Sequence, residues 1–231
     1  MKTFIIHIKN IELSRQTANI AKDSCIEFGY EPELVSGITP DTVLEFDKEY
    51  GLTVLKPSHM HDRQIGKNGS SHTYLCKYSN FLNHYRSWLE CIKLNETIIV
   101  LEHDVICLRE WDNPKFDGLL LLNAKAGLSD PQLNHHKKIE YVEGIHKYRH
   151  KSLVYRSENI WKGAAIIPGS AAYAITPAGA KSLVNNVREH GWDKADYIIN
   201  SHTVDIDYAS PDYFSFSHHI VANQRTSHGI N

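Results

Sequence analysis

Four cysteines in 231 residues, none in a C-x-x-C pair, leave no material for a zinc knuckle or a redox couple. Cys25, Cys76, Cys91 and Cys107 each sit in apolar surroundings, which predicts reduced thiols in a cytoplasm. No apolar run approaches the roughly 20 residues of a membrane span, so no integral membrane segment is expected. The opening Met1-Lys2-Thr3-Phe4-Ile5-Ile6-His7-Ile8 holds only a short apolar run before Lys9 and Asn10, which predicts a first strand rather than a secretory signal. An excess of one charge is missing too. With 25 Lys+Arg against 27 Asp+Glu the formal net charge is −2, which excludes a global basic field drawing the chain onto nucleic acid. There is no internal repeat and no low-complexity linker. HExxH and G-x-S-x-G are also absent, which argues against a divalent-metal hydrolase.

What remains is an ordinary globular composition, 42% hydrophobic and 23% charged. Strand and helix signals alternate along it, which predicts a single α/β domain over residues 1–231. Residues 3–8 read as a buried strand, and Ser14 offers an N-cap to a helix ending at Phe28-Gly29. Glu33-Leu34-Val35-Ser36 reads as a second strand. Thr39-Pro40 reads as the start of a helix that Gly51 closes. Residues 55–73 turn polar and read as a loop. Tyr74, Leu75, Tyr78, Phe81, Leu82, Tyr85, Trp88, Leu89 and Ile92 then recur at three- and four-residue spacing, so they share one face of a long helix. Residues 116–122, 170–175 and 213–221 read as further strands. Thr176-Pro177 opens a helix to about His190, and Tyr197-Ile198-Ile199 is a short apolar element. The stretch 123–160 is rich in His, Lys and Tyr and lacks periodicity, which predicts a long inserted loop or lid.

The apolar run Thr97-Ile98-Ile99-Val100-Leu101 leads directly into Glu102-His103-Asp104. Strand residues i and i+2 point the same way, so both acids are expected to face one point beyond the strand's end. Open α/β sheets bind their ligands at that edge. Carboxylate oxygens suit Mg²⁺ or Mn²⁺, and the free coordination positions of such an ion suit a diphosphate. An acidic turn capping the strand fits the triplet as well.

At this point the chain resembles glycosyltransferase family 25, which includes lipooligosaccharide sugar transferases and collagen galactosyltransferases. Ile5-Ile6-His7-Ile8 with Arg15 resembles the family's first strand and following Arg. Asn83-His84 and Trp88 stand where the family has a Ser-His pair and a Trp, and Leu101-Glu102-His103-Asp104-Val105 where it has a strand ending in Glu-Asp-Asp. Residues 170–181, Ser-Ala-Ala-Tyr-Ala-Ile-Thr-Pro-Ala-Gly-Ala-Lys, are very close to its small-residue strand and Gly-Ala-Lys helix. Asp196 falls where the family has an Asp after that helix. Residues 40–73 and 123–160 are unmatched. Two departures stand out: His103 for the middle acid, and Asn83 for the Ser.

The resemblance implies a single GT-A, Rossmann-like domain with a mixed, mostly parallel sheet flanked by helices. It implies a nucleotide-sugar donor, UDP-linked, and an Mn²⁺ or Mg²⁺ ion held by Glu102 and Asp104. A late His completes that ion's shell in many such enzymes, and His218 resembles it; a surface His is the plain alternative. An inverting transfer needs a general base. Asp196 is the candidate, although an acid favoured by a helix N-terminus fits the same position. Asp205, Asp207 and Asp212 are rivals. His7, Lys9, Arg15, His84, Glu102 and Ser170 are the expected donor-binding residues. Arg15 fits a solvated helix face equally well, and His84 a satisfied half-buried imidazole. Trp88 reads as core. The expected acceptor is a hydroxyl of a glycan. The basic stretches Asn134-His135-His136-Lys137-Lys138 and Lys147-Tyr148-Arg149-His150-Lys151, interleaved with tyrosines, keep a modified DNA base open as an alternative acceptor, with a solvated loop as the plain reading. A non-catalytic binding protein with the same fold is the remaining class.

Overall fold

The computed structural model describes residues 1–54, 71–124, 142–148, 160–167 and 169–217. Its element order is β1 (Lys2–His7), α1 (Glu12–Glu27), β2 (Glu31–Ser36), α2 (Val43–Tyr50), α3 (Ser71–Leu94), β3 (Ile98–Glu102), β4 (Val105–Cys107), β5 (Leu119–Leu121), β6 (Gly144–Lys147), β7 (Ala172–Ile175), α4 (Pro177–His190), α5 (Ala195–Ile198), β8 (Ile206–Ser210) and β9 (Phe214–Phe216). Seven strands form one sheet in the order β2-β1-β3-β7-β5-β8-β6, and β4 pairs with β9 in a separate ribbon. β2, β1, β3, β5 and β8 run in one direction, while β7 and β6 run against them. The sheet is therefore mixed and mostly parallel, in a single α/β domain. No helix among the described residues is long and apolar enough to cross a membrane.

Both faces of the sheet are covered, which is why β3 and β5 read as unbroken apolar runs. Phe4, Ile6, Ile98, Val100, Leu119, Leu121, Tyr173 and Ile175 face one core, built with α3 and α4. Ile5, Ile99, Leu101, Leu120, Ala172 and Ala174 face the other, built with α1. The aromatic stripe on α3 packs as its periodicity predicts. Tyr78, Phe81, Leu82, Tyr85 and Trp88 are buried, and Trp192 stacks on Tyr78 with ring centroids 4.2 Å apart.

Thr176 caps α4 as expected, its Oγ1 accepting from the Gly179 N–H at 3.1 Å with Pro177 at the first helical position. Gly51 ends α2 at φ 57°, in the left-handed region. Two caps differ from expectation. The N-cap of α1 is Ile11, while the Ser14 hydroxyl accepts from the Ile8 N–H at 2.8 Å and ties the helix to the end of β1. The N-cap of α2 is Thr42, because Thr39-Pro40 forms a preceding turn in which Thr39 N–H donates to Thr42 Oγ1 at 3.1 Å.

Strand β8 is buried along its whole length yet carries an acid, Asp207, as its second residue. Asp207 is 3% exposed, and Lys147 on β6 brings its ammonium to 3.1 Å of the carboxylate. That pairing makes an acid tolerable inside a sheet. β6 itself lies inside the stretch expected to be a loop. The expected strand over 213–221 is seen as β9, and residues 218–221 lie outside the described residues. All four cysteines are free; burial pushes the Cys25 and Cys91 thiols up to about 12.

Candidate functional site

The carboxyl ends of β1, β3 and β5 share one edge with the residues that lead into β7. Glu102 is the last residue of β3, and its backbone N–H donates to Ala171 O at 2.8 Å. Ser170 is therefore next to Glu102 although 68 positions separate them in sequence. Ser170 Oγ donates to Asp196 Oδ1 at 2.7 Å, which brings the first turn of α5 to the same place. Trp192, bridged to Val54 and stacked on α3, fixes the turn that carries Asp196. The structure thus brings Glu102, Asp104, His84, Ser170 and Asp196 together.

α3 supplies two side chains one turn apart. Asn80 Nδ2 donates to Glu102 Oε1 at 3.2 Å, and His84 Nε2 lies 3.6 Å from the same oxygen. His84 Nδ1 meets the Tyr173 hydroxyl at 2.9 Å, and Trp88 Nε1 donates to that hydroxyl at 2.9 Å. Asn83 takes no part in this. Its amide oxygen accepts from Ile38 N–H at 2.7 Å and its Nδ2 donates to Ile38 O at 3.1 Å. A Ser there could not span both backbone groups, so this departure from the family pattern serves the scaffold.

Asp104 does not continue the strand. β3 stops at Glu102, and His103-Asp104 form the turn into β4, so the expectation that i and i+2 share a strand face does not hold beyond Glu102. The two acids still act on each other. Burial, then the charge of Glu102, raises the Asp104 carboxyl to about 6. For Glu102, burial favours the neutral acid, but the neighbouring His84, with the Asn80 donation, outweighs it and holds the carboxyl below its ordinary value. Asp196 is raised by burial and by Glu102, with the Ser170 hydroxyl opposing.

At the end of β1, Ile6 pairs with Glu102 in register, so His7 stands beside the start of the acidic turn. Burial, with the charges of Lys9 and Arg15, lowers the His7 pKa, and its buried Nδ1 has no hydrogen-bond partner among the described residues. Arg15 pairs with Glu12 and reaches Lys9 O at 3.5 Å from a half-exposed position. Lys9 and Arg15 thus lie close enough to His7 to act on it, and of the three only His7 is placed beside the acidic turn by strand register. His218 lies outside the described residues; Ser217, just before it, donates its N–H to Asp104 O at 2.7 Å. Among the described residues no three His, Cys, Asp or Glu side chains converge as a metal-binding group.

Sequence reasoning missed Asn80, Tyr173 and Asn123. Asn80 is exposed and lies off the apolar stripe, and only its i, i+4 relation to His84 could have marked it. Tyr173 sits among small residues as an ordinary core aromatic would. Asn123 follows β5 at the same edge, fully buried, with Nδ2 donating to Gly169 O at 3.3 Å.

The structure is similar to the crystal structure of mouse xyloside xylosyltransferase 1 in its apo form. Identity there is 11% and the TM-score 0.37, over 82% of this chain and 77% of that one. It is also similar to the crystal structure of a glycosyltransferase involved in the glycosylation of the major capsid of PBCV-1. Identity there is 10% and the TM-score 0.38, over 97% of this chain and 95% of that one. No curated protein matches the chain. The family described as glycosyltransferase family 25 (LPS biosynthesis protein) matches residues 1–202, and the chain belongs to that family.

Proposed function

We propose that this glycosyltransferase moves a hexose, with inversion, from a UDP-sugar to a hydroxyl of a glycan acceptor in a divalent-metal-dependent reaction. The observation that carries the reading is the meeting of Glu102, Asp104, Ser170 and Asp196 at one sheet edge in a family 25 chain. The donor set suits a hard cation. Burial, and after it the charge of Glu102, raises Asp104 to about 6, and a cation between the two carboxylates would offset their repulsion. Glu102 and Asp104 would hold an Mn²⁺ or Mg²⁺ ion, with His218 as a further ligand. When bound, the ion supplies Lewis-acid neutralisation of the leaving diphosphate.

The chain's own residues do the rest. His7, with Lys9 and Arg15 close enough to act on it, is suited to the nucleotide's base or phosphates. Asn80 and His84 hold Glu102 ionised and in place. Asp196 takes the proton from the acceptor hydroxyl as that oxygen attacks the anomeric carbon. Its desolvated carboxyl is a stronger base than an exposed one, and Ser170 fixes its orientation. Closure over the edge excludes water from the anomeric carbon.

The test is turnover of UDP-galactose and UDP-glucose with and without Mn²⁺, in wild type, Asp104→Ala and Asp196→Asn. Metal-dependent turnover lost in both variants supports the reading. Full activity in EDTA, or undiminished turnover in either variant, would overturn it.

A further inference from the structure

Four side chains form an unbroken line from the core to the site: Trp88, Tyr173, His84 and Glu102. Trp88 and Tyr173 are fully buried, His84 is 1% exposed, and Glu102 alone reaches the surface. The protons on this line can be placed by elimination. An indole N–H only donates, so the Tyr173 oxygen accepts from Trp88. Tyr173 has one hydroxyl proton, and among the described residues only His84 Nδ1 is in place to receive it. Were Nδ1 to carry a proton instead, the Tyr173 hydroxyl proton would be buried with no acceptor, which costs more than the bond it replaces. Nδ1 is therefore the acceptor, and the imidazole proton sits on Nε2, facing Glu102 Oε1 at 3.6 Å. Asn80 donates to that same oxygen. Among the described residues no hydrogen bond reaches Oε2, the oxygen left for a ligand.

We propose that Tyr173, itself oriented by Trp88, is a positioning residue that locks His84 in the Nε2–H tautomer. In that form His84 presents a donor to Glu102 and holds one carboxylate oxygen, leaving the other for the donor complex. Tyr173 touches no substrate. It acts two side chains away from the edge, by removing the alternative in which a bare imidazole nitrogen faces a carboxylate. The link to donor binding rests on the function proposed above; the tautomer does not.

The experiment is long-range ¹H–¹⁵N correlation of the histidine side chains, with His84 assigned from the signals lost in His84→Gln. Wild-type protein is expected to show His84 as the Nε2–H tautomer. An Nδ1–H or doubly protonated ring overturns the proposal, whatever the variants do. Tyr173→Phe is expected to lose the pure Nε2–H pattern and to raise the donor KM about tenfold. An unchanged tautomer in Tyr173→Phe overturns it. His84→Gln keeps a donor toward Glu102 without a tautomer to set, so adding Tyr173→Phe to it should leave the donor KM unchanged. An equal loss in both backgrounds makes Tyr173 merely structural and overturns the proposal. Absence of any UDP-sugar turnover in wild type would count against the proposed function alone, because the spectra decide the tautomer independently.

Discussion

Ser170 Oγ donates to Asp196 Oδ1 at 2.7 Å, tying the residue two before β7 to the first turn of α5. Burial makes Asp196 a reluctant anion, and the Ser170 donation is the main force the other way. A general base works only when deprotonated, so turnover falls as pH drops through its pKa. Ser170→Ala removes a bond to the charged form, which raises that pKa further and moves the acid limb of the kcat/KM profile to higher pH. Asp196→Asn should lose about 10²- to 10⁴-fold in kcat without a change in fold. An acid limb that stays put in Ser170→Ala would show that Asp196 is not the titrating base.

Asp104 sets function against stability. Its carboxyl titrates at 3.8 when exposed and at about 6 in the fold. The group's stabilising contribution is whole below the lower value and is lost as pH rises through the higher one. Above pH 7, without metal, an ionised Asp104 is a net cost. Asp104→Asn should therefore melt a few degrees above wild type in metal-free buffer above pH 7, with the gap closing toward pH 4. The same variant should bind UDP-sugar with Mn²⁺ at least tenfold more weakly. Thermal melts across pH with titrations of donor and Mn²⁺ check both halves. Normal donor binding by the variant would remove Asp104 from the site.

That Glu102, Ser170 and Asp196 would meet at one edge was legible because they sit at or near the starts and ends of elements. Glu102 ends an apolar strand, and Ser170 and Asp196 flank elements with clear caps or apolar runs. What the sequence hid depends on pairing across the sheet. Asp207 reads as a rival for the general base until Lys147 is known to face it from a neighbouring strand. Tyr173 looks like core until Trp88 and His84 are seen to meet at its hydroxyl. The alternation rule also overreached at Asp104. Strand geometry ends with the strand's hydrogen bonds, and those stop at Glu102.

Gly179 explains why the Gly-Ala-Lys helix needs its glycine. A Cβ there would stand 2.5 Å from Gly118 O, a backbone atom fixed just before β5, where Thr176 Oγ1 also donates to Asp117 O at 2.8 Å. Neither side can yield cheaply, because the 117–118 turn is itself packed against Asp205. Gly179→Ala should destabilise the fold by about 1–3 kcal/mol, despite alanine's better helix propensity. Urea unfolding reads this directly, and a variant as stable as wild type would mean that the helix start can shift.

The topology divides the expected lid of residues 123–160 in two. The first excursion, 125–141, departs just past Asn123 and returns at Gly144, which pairs with Ser210 at the carboxyl end of β8. Both ends therefore lie on the edge that carries Glu102. The second excursion, 149–159, departs after Tyr148, whose N–H donates to Ile206 O at 2.9 Å, at the opposite edge. Both excursions lie outside the described residues, but their anchors predict different roles. The first has both of its anchors on the edge that carries Glu102, and the second departs from the opposite edge. Lys137→Ala/Lys138→Ala should leave donor hydrolysis intact and reduce transfer, whereas Arg149→Ala/Lys151→Ala should change neither. If the acceptor is a base in DNA, wild-type transfer falls steeply with salt, and the Lys137/Lys138 variant shows a shallower slope because fewer counterions are displaced. A neutral glycan acceptor leaves both slopes flat. Equal losses from the two pairs of substitutions would show that the acceptor spans both edges, and this assignment of the first excursion would then be wrong.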